Sequence, residues 1–401
     1  MFYDLKDNMK NIIDVSSKLS TMDLKDKRIF LRADLNIPIE NNHIVSEHRI
    51  KAIFPTINLI LQKGGKIILA THIGRPKQKE VHLSTKKIST VFEKYNYNIE
   101  FEPNLETAYQ KSFIKNKKIL LLENLRFFPE EQNQNKTFAK KLANLADYYV
   151  NDAFGLLHRD DTSITLVPEL FKSENKTVGL LVEREFNMLN KILTKAENPF
   201  VLIIGGGKIK DKLPLIKNLM NQVTTVILCP AICFTFLKAL KKPVGKSLVD
   251  DYLQEESKKV LKLAEEKNIN IVFPVDYQIA ENNLDGTLSY SQAEDFPSNG
   301  VGVSIGPKTE KLIQPLIRQA KTLFFNGAIG HTKNIATLQG MKNILKEMGN
   351  SNGFSIVAGG DSVAVAQKLC LDKKINYCST GGGATLTYLS GKPLIGLIKT
   401  L

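Results

Sequence analysis

A chain of 401 residues is long for a single hydrophobic core, so two domains are expected. Its composition, 43% apolar and 24% charged, is that of a folded soluble protein. The formal net charge of +14 favours anionic partners. The lysines are scattered, however, with no dense basic block and no aromatic–basic signature of an RNA binder, so nucleic acid is not expected as a partner. The plain alternative is a lysine-biased surface.

Residues 1–20 read as an appended segment. The first ten mix both charge signs and lack the apolar core of a signal peptide. Strands are then predicted at 28–33, 66–70, 118–122 and 148–150. Helical patterns fall between them at 49–62, 83–95 and 136–146. A helical stretch over 182–197, with Glu183, Phe186, Leu189 and Leu193 at turn-like spacing, leads to Asn198-Pro199 and reads as an interdomain linker. A second series of strands is predicted at 200–205, 225–228, 270–273, 322–325, 354–358 and 376–378. Strands that alternate with helices predict parallel sheets covered on both faces. The runs are apolar throughout, as strands buried on both faces should be.

One stretch, 218–237, holds no charged residue and is long enough to span a bilayer. Its Asn218, Asn221, Gln222, threonines and central Pro230 read instead as a helix end, a buried strand, a turn and a helix start, so no membrane is expected. Cys229 and Cys233 are four apart, while Cys370 and Cys378 lie far away. Zinc ligation usually comes as tighter motifs with histidines, so buried free thiols in a reducing cytoplasm are expected.

The chemistry stands at the strand ends. The first four strands deliver Arg32, Asp34 and Asn36; His72, Gly74 and Arg75; Glu123, Asn124 and Arg126; and Asn151, Asp152, Gly155, His158 and Arg159. In one parallel sheet these would share a rim, and open α/β sheets bind ligands there. Several guanidinium groups facing one place repel each other unless an anion joins them. Taken singly, each arginine could equally form a surface ion pair with neighbours such as Glu123 or Asp152.

Later strands end in glycine turns. Gly205-Gly206-Gly207 precedes Lys208 and Lys212, which are one helical turn apart and share a face. Gly359-Gly360-Asp361-Ser362 and Ser379-Thr380-Gly381-Gly382-Gly383 follow the same plan. Helix starts of this kind cradle phosphates. Asp361 suits either a Mg²⁺ that bridges nucleotide phosphates or a helix N-cap.

Five linked runs resemble phosphoglycerate kinase over essentially the whole chain beyond residue 20. They are Arg32-Ala-Asp34-Leu-Asn36-Ile-Pro38, His48-Arg49-Ile50, Thr71-His72-Ile-Gly74-Arg75-Pro76, Glu123-Asn124-Leu-Arg126-Phe127 and Asn151-Asp152-Ala-Phe-Gly155. The three glycine turns resemble that family's nucleotide side. The resemblance implies an α/β chain of two Rossmann-like parallel-sheet domains, with a helical hinge and an interdomain active-site cleft. Residues 1–182 would bind the acid substrate, with 389–401 packing back on them, and 183–388 would bind the nucleotide.

The implied reaction is reversible phosphoryl transfer between 1,3-bisphosphoglycerate with ADP and 3-phosphoglycerate with ATP, by a cytoplasmic monomer using Mg²⁺. Asp34 and Asn36 would hold the hydroxyl and carboxylate of 3-phosphoglycerate. Arg75, Arg126 and Arg159 would grip its phosphate with His72 nearby, and Arg49 would reach the acyl group. Lys208 would stabilise the transferring phosphoryl, and Lys212 the nucleotide phosphates. Gly206, Gly207, Asn326, Gly359, Gly360 and Ser362 would line the nucleotide site, with Asp361 on the metal. Gly360 and Gly383 would present backbone N–H groups at the reaction centre.

Departures from the family pattern gather on the nucleotide side. Cys229-Pro230-Ala231-Ile232-Cys233 stands where a glycine run is usual, Ala328 where proline is, Lys333 where a ribose-binding glutamate is, and Thr387 where a hinge glutamate is. Asp160 and Asp161 after Arg159 are also atypical and would weaken its positive field. These leave three expectations: an ordinary enzyme with a drifted adenine pocket, an enzyme of altered nucleotide preference, or a divergent paralogue that binds phosphorylated acids without turnover.

Overall fold

The computed structural model describes residues 15–40, 43–114 and 119–401. These divide into two compact units: one runs to Asn187 and takes in Pro393–Leu401, and the other runs from Met188 to Lys392. The first ten residues, and Lys118 of one expected strand, lie outside the described residues.

In chain order the strands of the first unit are β1 (Arg28–Ala33), the short β2 (Ile39–Glu40) and β3 (His43–Ile44), β4 (Lys66–Ala70), β5 (Ile99–Glu102), β6 (Ile119–Leu122), β7 (Tyr148–Asp152) and β8 (Lys176–Val178). Apart from the antiparallel β2–β3 pair, they form one parallel sheet in the order β5-β6-β4-β1-β7-β8. Side chains alternate across a strand, and here both faces are apolar. Ile29, Leu31, Ile67, Leu69, Ile119 and Leu121 pack on one side with Ile57, Ile60, Ile88 and Phe92 from the helices Phe54–Gln62 and Lys86–Lys94. Phe30, Ile68, Leu120, Leu122 and Tyr149 pack on the other with Phe138, Leu142 and Val167.

The single helix expected over 49–62 is broken into His48–Ala52 and Phe54–Gln62. Pro55 lies in the first turn of the second, where a missing N–H costs nothing, so the chain restarts there. The expected helices at 83–95 and 136–146 are shorter, at Lys86–Lys94 and Lys136–Ala143. At the chain end the helix Ile395–Thr400 lies on Thr162–Glu169: Gly396 N–H donates to the Leu157 carbonyl (2.9 Å), and Lys399 pairs with Glu169.

The second unit continues with β9 (Phe200–Gly206), β10 (Thr225–Ala231), β11 (Asn270–Val272), β12 (Asp276–Glu281), β13 (Leu288–Gln292), β14 (Gly300–Ile305), β15 (Thr322–Asn326), β16 (Phe354–Ala358) and β17 (Tyr377–Ser379). Six of these form a parallel sheet, β11-β10-β9-β15-β16-β17. The other three form an antiparallel sheet, β13-β12-β14, which the sequence did not disclose. The uncharged 218–237 stretch runs from the end of the helix Ile209–Leu219 through β10 into the helix Ile232–Ala239. Among the described residues no helix is long and apolar enough to cross a membrane. The helix Leu180–Thr194 runs through the chain position where the first unit gives way to the second.

The strand order reverses between β1 and β7 in the first unit, where β5 and β6 also exchange places at the sheet edge, and between β9 and β15 in the second. Doubly wound sheets bind ligands at the carboxyl ends of the strands flanking such a reversal. The residues beyond β1, β4, β6 and β7, and beyond β9, β15, β16 and β17, therefore stand where a ligand would bind.

Candidate active site

In the first unit, four neighbouring strands end in a charged cluster. Asp34, just beyond β1, pairs with Arg49 from the helix His48–Ala52. Burial pushes the Asp34 carboxyl up, but the charge and hydrogen bond of Arg49, with the Asn36 N–H, outweigh it and hold the group at about 2. His72, beyond β4, is buried and stays neutral: burial drives its pKa well below the ordinary value, and Asp34 only partly opposes this. The Gly74 backbone joins two expected ligands. Its N–H donates to Asn36 Oδ1 (2.8 Å), and its carbonyl accepts from Arg126 Nη1 (2.8 Å).

Arg126 sits at the turn beyond β6, fixed by Asn124, whose Oδ1 accepts the Arg126 N–H (3.0 Å). Burial lowers the Arg126 pKa; Asp161 counters this, and the nearby Arg159 and Arg32 add to it. The Nε atoms of Arg126 and Arg159 and the Nδ1 of His158 are buried with no hydrogen-bond partner. Arg75 is exposed and lies outside this network.

Sequence reasoning singled out neither of two residues behind the cluster, Glu131 and Ser163. Fully buried Arg32 donates from Nε to Ser163 Oγ (2.7 Å) and from Nη1 to the Ala33 carbonyl (2.6 Å), and its Nη2 lies 3.5 Å from both His72 Nδ1 and Glu131 Oε1. Glu131 in turn accepts from Ser163 Oγ (2.6 Å) and N–H (3.0 Å). Glu123 and Asp152, weighed as arginine partners, serve the backbone instead. Glu123 accepts from Thr85 N–H (3.0 Å) and Asn124 N–H (2.7 Å), and Asp152 from Leu181 N–H (2.9 Å) and Val182 N–H (3.2 Å). Asn151 is likewise interior, within β7.

In the second unit a cavity of about 410 Å³ opens at the reversal between β9 and β15. It is lined by Gly206, Gly207, Lys208 and Lys212, by Asn326, by Gly359, Gly360, Asp361 and Ser362, and by Gly383. The residues expected at the nucleotide phosphates and metal therefore meet here, while Gly205, Ser379, Thr380 and Gly381 of the same turns do not line the cavity. His331, Thr332 and Leu386 also line it; they carry no motif, and only the position of the first two after the Asn326-Gly327 turn, and of Leu386 after Gly381-Gly382-Gly383, hints at them. The turns fit together closely. Gly327 adopts φ +93°, and a Cβ there would fall 1.9 Å from the Gly205 carbonyl, so no other residue fits.

Lys208 is exposed, in a left-handed conformation, at the start of the helix Ile209–Leu219. Lys212 is buried, and its Nζ donates to the carbonyls of Gly205 and Gly207 (2.6 Å to the latter). Burial, together with Lys208, lowers its pKa to about 8. The N-cap reading of Asp361 does not hold. Gly359 occupies that position, and Asp361 lies in the first turn of the helix Gly360–Lys368 with its carboxylate exposed. No group of three or more His, Cys, Asp or Glu that could hold a metal is found among the described residues. The donor set fits a Mg²⁺ carried by substrate phosphates and one carboxylate, since Mg²⁺ keeps its waters and uses few protein ligands.

A phosphoglycerate kinase family model matches residues 19–392. A phosphoglycerate kinase of Dictyoglomus turgidum is 38% identical over 394 residues, 97% of this chain and 98% of that protein. The chain belongs to the phosphoglycerate kinase family. It is a phosphotransferase with a carboxyl group as acceptor, a kinase of glycolysis, and its family implies a nucleotide substrate. Solved phosphoglycerate kinases from Coxiella burnetii (30% identical, TM-score 0.81, 95% of this chain and 97% of that one) and Pyrococcus horikoshii OT3 (25%, TM-score 0.84, 96% and 98%) share the fold.

Against the family pattern, the 229–233 run is not an open turn. β10 continues to Ala231, Cys229 and Cys233 are buried, and burial pushes the Cys229 thiol up to about 12. None of these residues lines the cavity. Lys333 is exposed next to the lining residue Thr332, and Thr387 is half-buried. The cysteines are not all buried as expected: Cys370 is exposed and Cys378 half-buried.

Proposed function

We propose that the chain transfers a phosphoryl group reversibly from 1,3-bisphosphoglycerate to MgADP, giving 3-phosphoglycerate and MgATP. The observation that carries this reading is the gathering of Arg49, Arg126 and Arg159 with Asp34 and neutral His72 at adjacent strand ends. Like charges are brought together in this way where an anion is to be received.

On this reading Asp34, ionised at any working pH, accepts the substrate hydroxyl, and Asn36 holds the carboxylate. Arg126, Arg159 and Arg75 take the stable phosphate beside His72, and Arg49 turns to the acyl group. The glycine turns offer N–H groups to the nucleotide phosphates, with Gly360 and Gly383 at helix starts. Lys208 meets the transferring group. Mg²⁺, held by Asp361 and the nucleotide, would neutralise phosphate charge. Phosphoryl transfer is largely positioning and charge stabilisation, so the absence of a nucleophilic side chain from this scheme is expected. Transfer also requires donor and acceptor to meet, so the reading includes a hinge within Leu180–Thr194.

The free thiols support a reducing, cytoplasmic setting, and a monomer is proposed. The positive surplus then serves small phosphates rather than nucleic acid. The deciding experiment is a coupled assay with purified protein, MgATP and 3-phosphoglycerate. Sustained turnover is expected; binding of 3-phosphoglycerate with no turnover would leave only the phospho-acid-binding paralogue.

One residue tests where the nucleoside sits. A lysine can donate to ribose hydroxyls but cannot accept from them. Lys333→Glu is expected to tighten ADP binding by several-fold, on the scale of a hydrogen bond to a charged group. Calorimetry showing unchanged or weaker binding would place the ribose elsewhere.

A further inference from the structure

Asp161 is an oddity of position and of partner. It occupies the N-cap of the helix Thr162–Glu169, where an aspartate ordinarily accepts from the second or third N–H, yet its side chain makes no cap hydrogen bond. Its backbone carbonyl does the local work, accepting from Ile164 N–H (2.9 Å) and Thr165 N–H (3.1 Å). The carboxylate is buried instead against the arginine cluster, with Oδ2 3.5 Å from Arg126 Nη2. It also acts on His158, whose cation is disfavoured by burial and then by Arg159 and favoured by Asp161. Asp161 balances charge without filling the donors: Arg126 Nε and Arg159 Nε stay without acceptors.

We infer that Asp161 is a built-in counter-anion that sets the affinity of the Arg126–Arg159 cluster for the phosphate end of the acid substrate. An arriving phosphate meets a carboxylate already lying on one of its guanidinium partners. The cluster is thereby held together in the empty site, and the phosphate binds against a like charge a few ångströms away. The inference rests on the reading that Arg126 and Arg159 receive the phosphate of 3-phosphoglycerate, and it adds a residue that opposes binding to those that favour it.

The sign of the effect separates this from a structural role. A carboxylate that merely oriented Arg126 would weaken binding when removed. A counter-anion strengthens binding when its charge is removed. Asp161→Asn preserves shape and disturbs no cap bond. By calorimetry, 3-phosphoglycerate is expected to bind Asp161→Asn about tenfold more tightly than the parent, the scale of losing one nearby like charge at a partly screened site. Asp161→Glu, which keeps the charge, is expected to stay near the parent value.

Arg126→Ala, measured alongside, is expected to lose tenfold or more in affinity, as one charged hydrogen-bond donor is removed. If Arg126→Ala binds poorly while Asp161→Asn shows unchanged or weaker binding, or if Asp161→Glu tightens as much as Asp161→Asn, the counter-anion role is wrong and the phosphate site stands. If Arg126→Ala binds as the parent does, the phosphate site is wrong and the inference falls with it.

Discussion

Lys208→Ala is expected to lower kcat by roughly a hundredfold or more, the scale of losing one preorganised charge at a transition state. Two features of Lys208 lead there. It begins the helix Ile209–Leu219 directly after the Gly205-Gly206-Gly207 turn, so its position is fixed by backbone rather than by side-chain packing. Its side chain is exposed at the cavity, whereas Lys212 is engaged with the carbonyls of Gly205 and Gly207. The two lysines should therefore separate experimentally. Lys208→Ala should depress kcat and kcat/KM alike with little change in stability, the signature of an interaction made only in the transition state. Lys212→Ala strips two carbonyls of their donor and should destabilise the glycine turn as well. Steady-state kinetics beside thermal unfolding distinguish them. Near-parent turnover in Lys208→Ala would remove that residue from the transition state.

Much of this could be read from the sequence, and for a physical reason. β1, β4 and β16 lie where their apolar runs placed them, because a parallel strand covered on both faces is apolar at most positions. The glycine turns are legible because Gly206, Gly359 and Gly382 take a left-handed φ that favours glycine. What escaped was structure without that signature. β5 is Ile-Glu-Phe-Glu and largely half-buried, β13 is mostly polar with no buried residue, and neither carries an apolar run. Pro55 marks the break in the 49–62 pattern, which apolar periodicity alone runs through.

The same limit applies to the site. Arg49, Lys208 and Asp361 sit in recognisable runs, but the residues that hold the cluster do not. Glu131 and Ser163 meet Arg32 from 99 and 131 positions away, and no local pattern records such a meeting. Asp161 is visible as an irregularity after Arg159, yet its partner in the fold is Arg126, from the turn beyond β6.

That hidden layer carries the largest expected effect on stability. Arg32 and Glu131 are both fully buried, and Ser163 bridges them. Removing one member of a buried pair leaves the other desolvated and uncompensated, at a cost of about 3–5 kcal/mol. Above pH 7, where Glu131 is ionised, Arg32→Met is expected to lose that much, read by hydrogen exchange at the β1 and β7 amides, and to loosen His72 with it. Glu131 supplies an independent test through pH. Burial pushes its carboxyl up to about 7 from an ordinary 4.5, with Arg32 opposing. Folding therefore takes up a proton. The stabilisation from this group is complete below about pH 4.5 and is lost as pH rises through 7. Glu131→Gln cannot titrate. Between pH 4.5 and 7.5 the parent should lose on the order of 3 kcal/mol more stability than Glu131→Gln does. His72, His158 and Asp152 also titrate anomalously, but they are present in both proteins and cancel in the difference. Parallel pH profiles for the two proteins would mean that Glu131 is ionised throughout and that Arg32 holds it more firmly than burial resists.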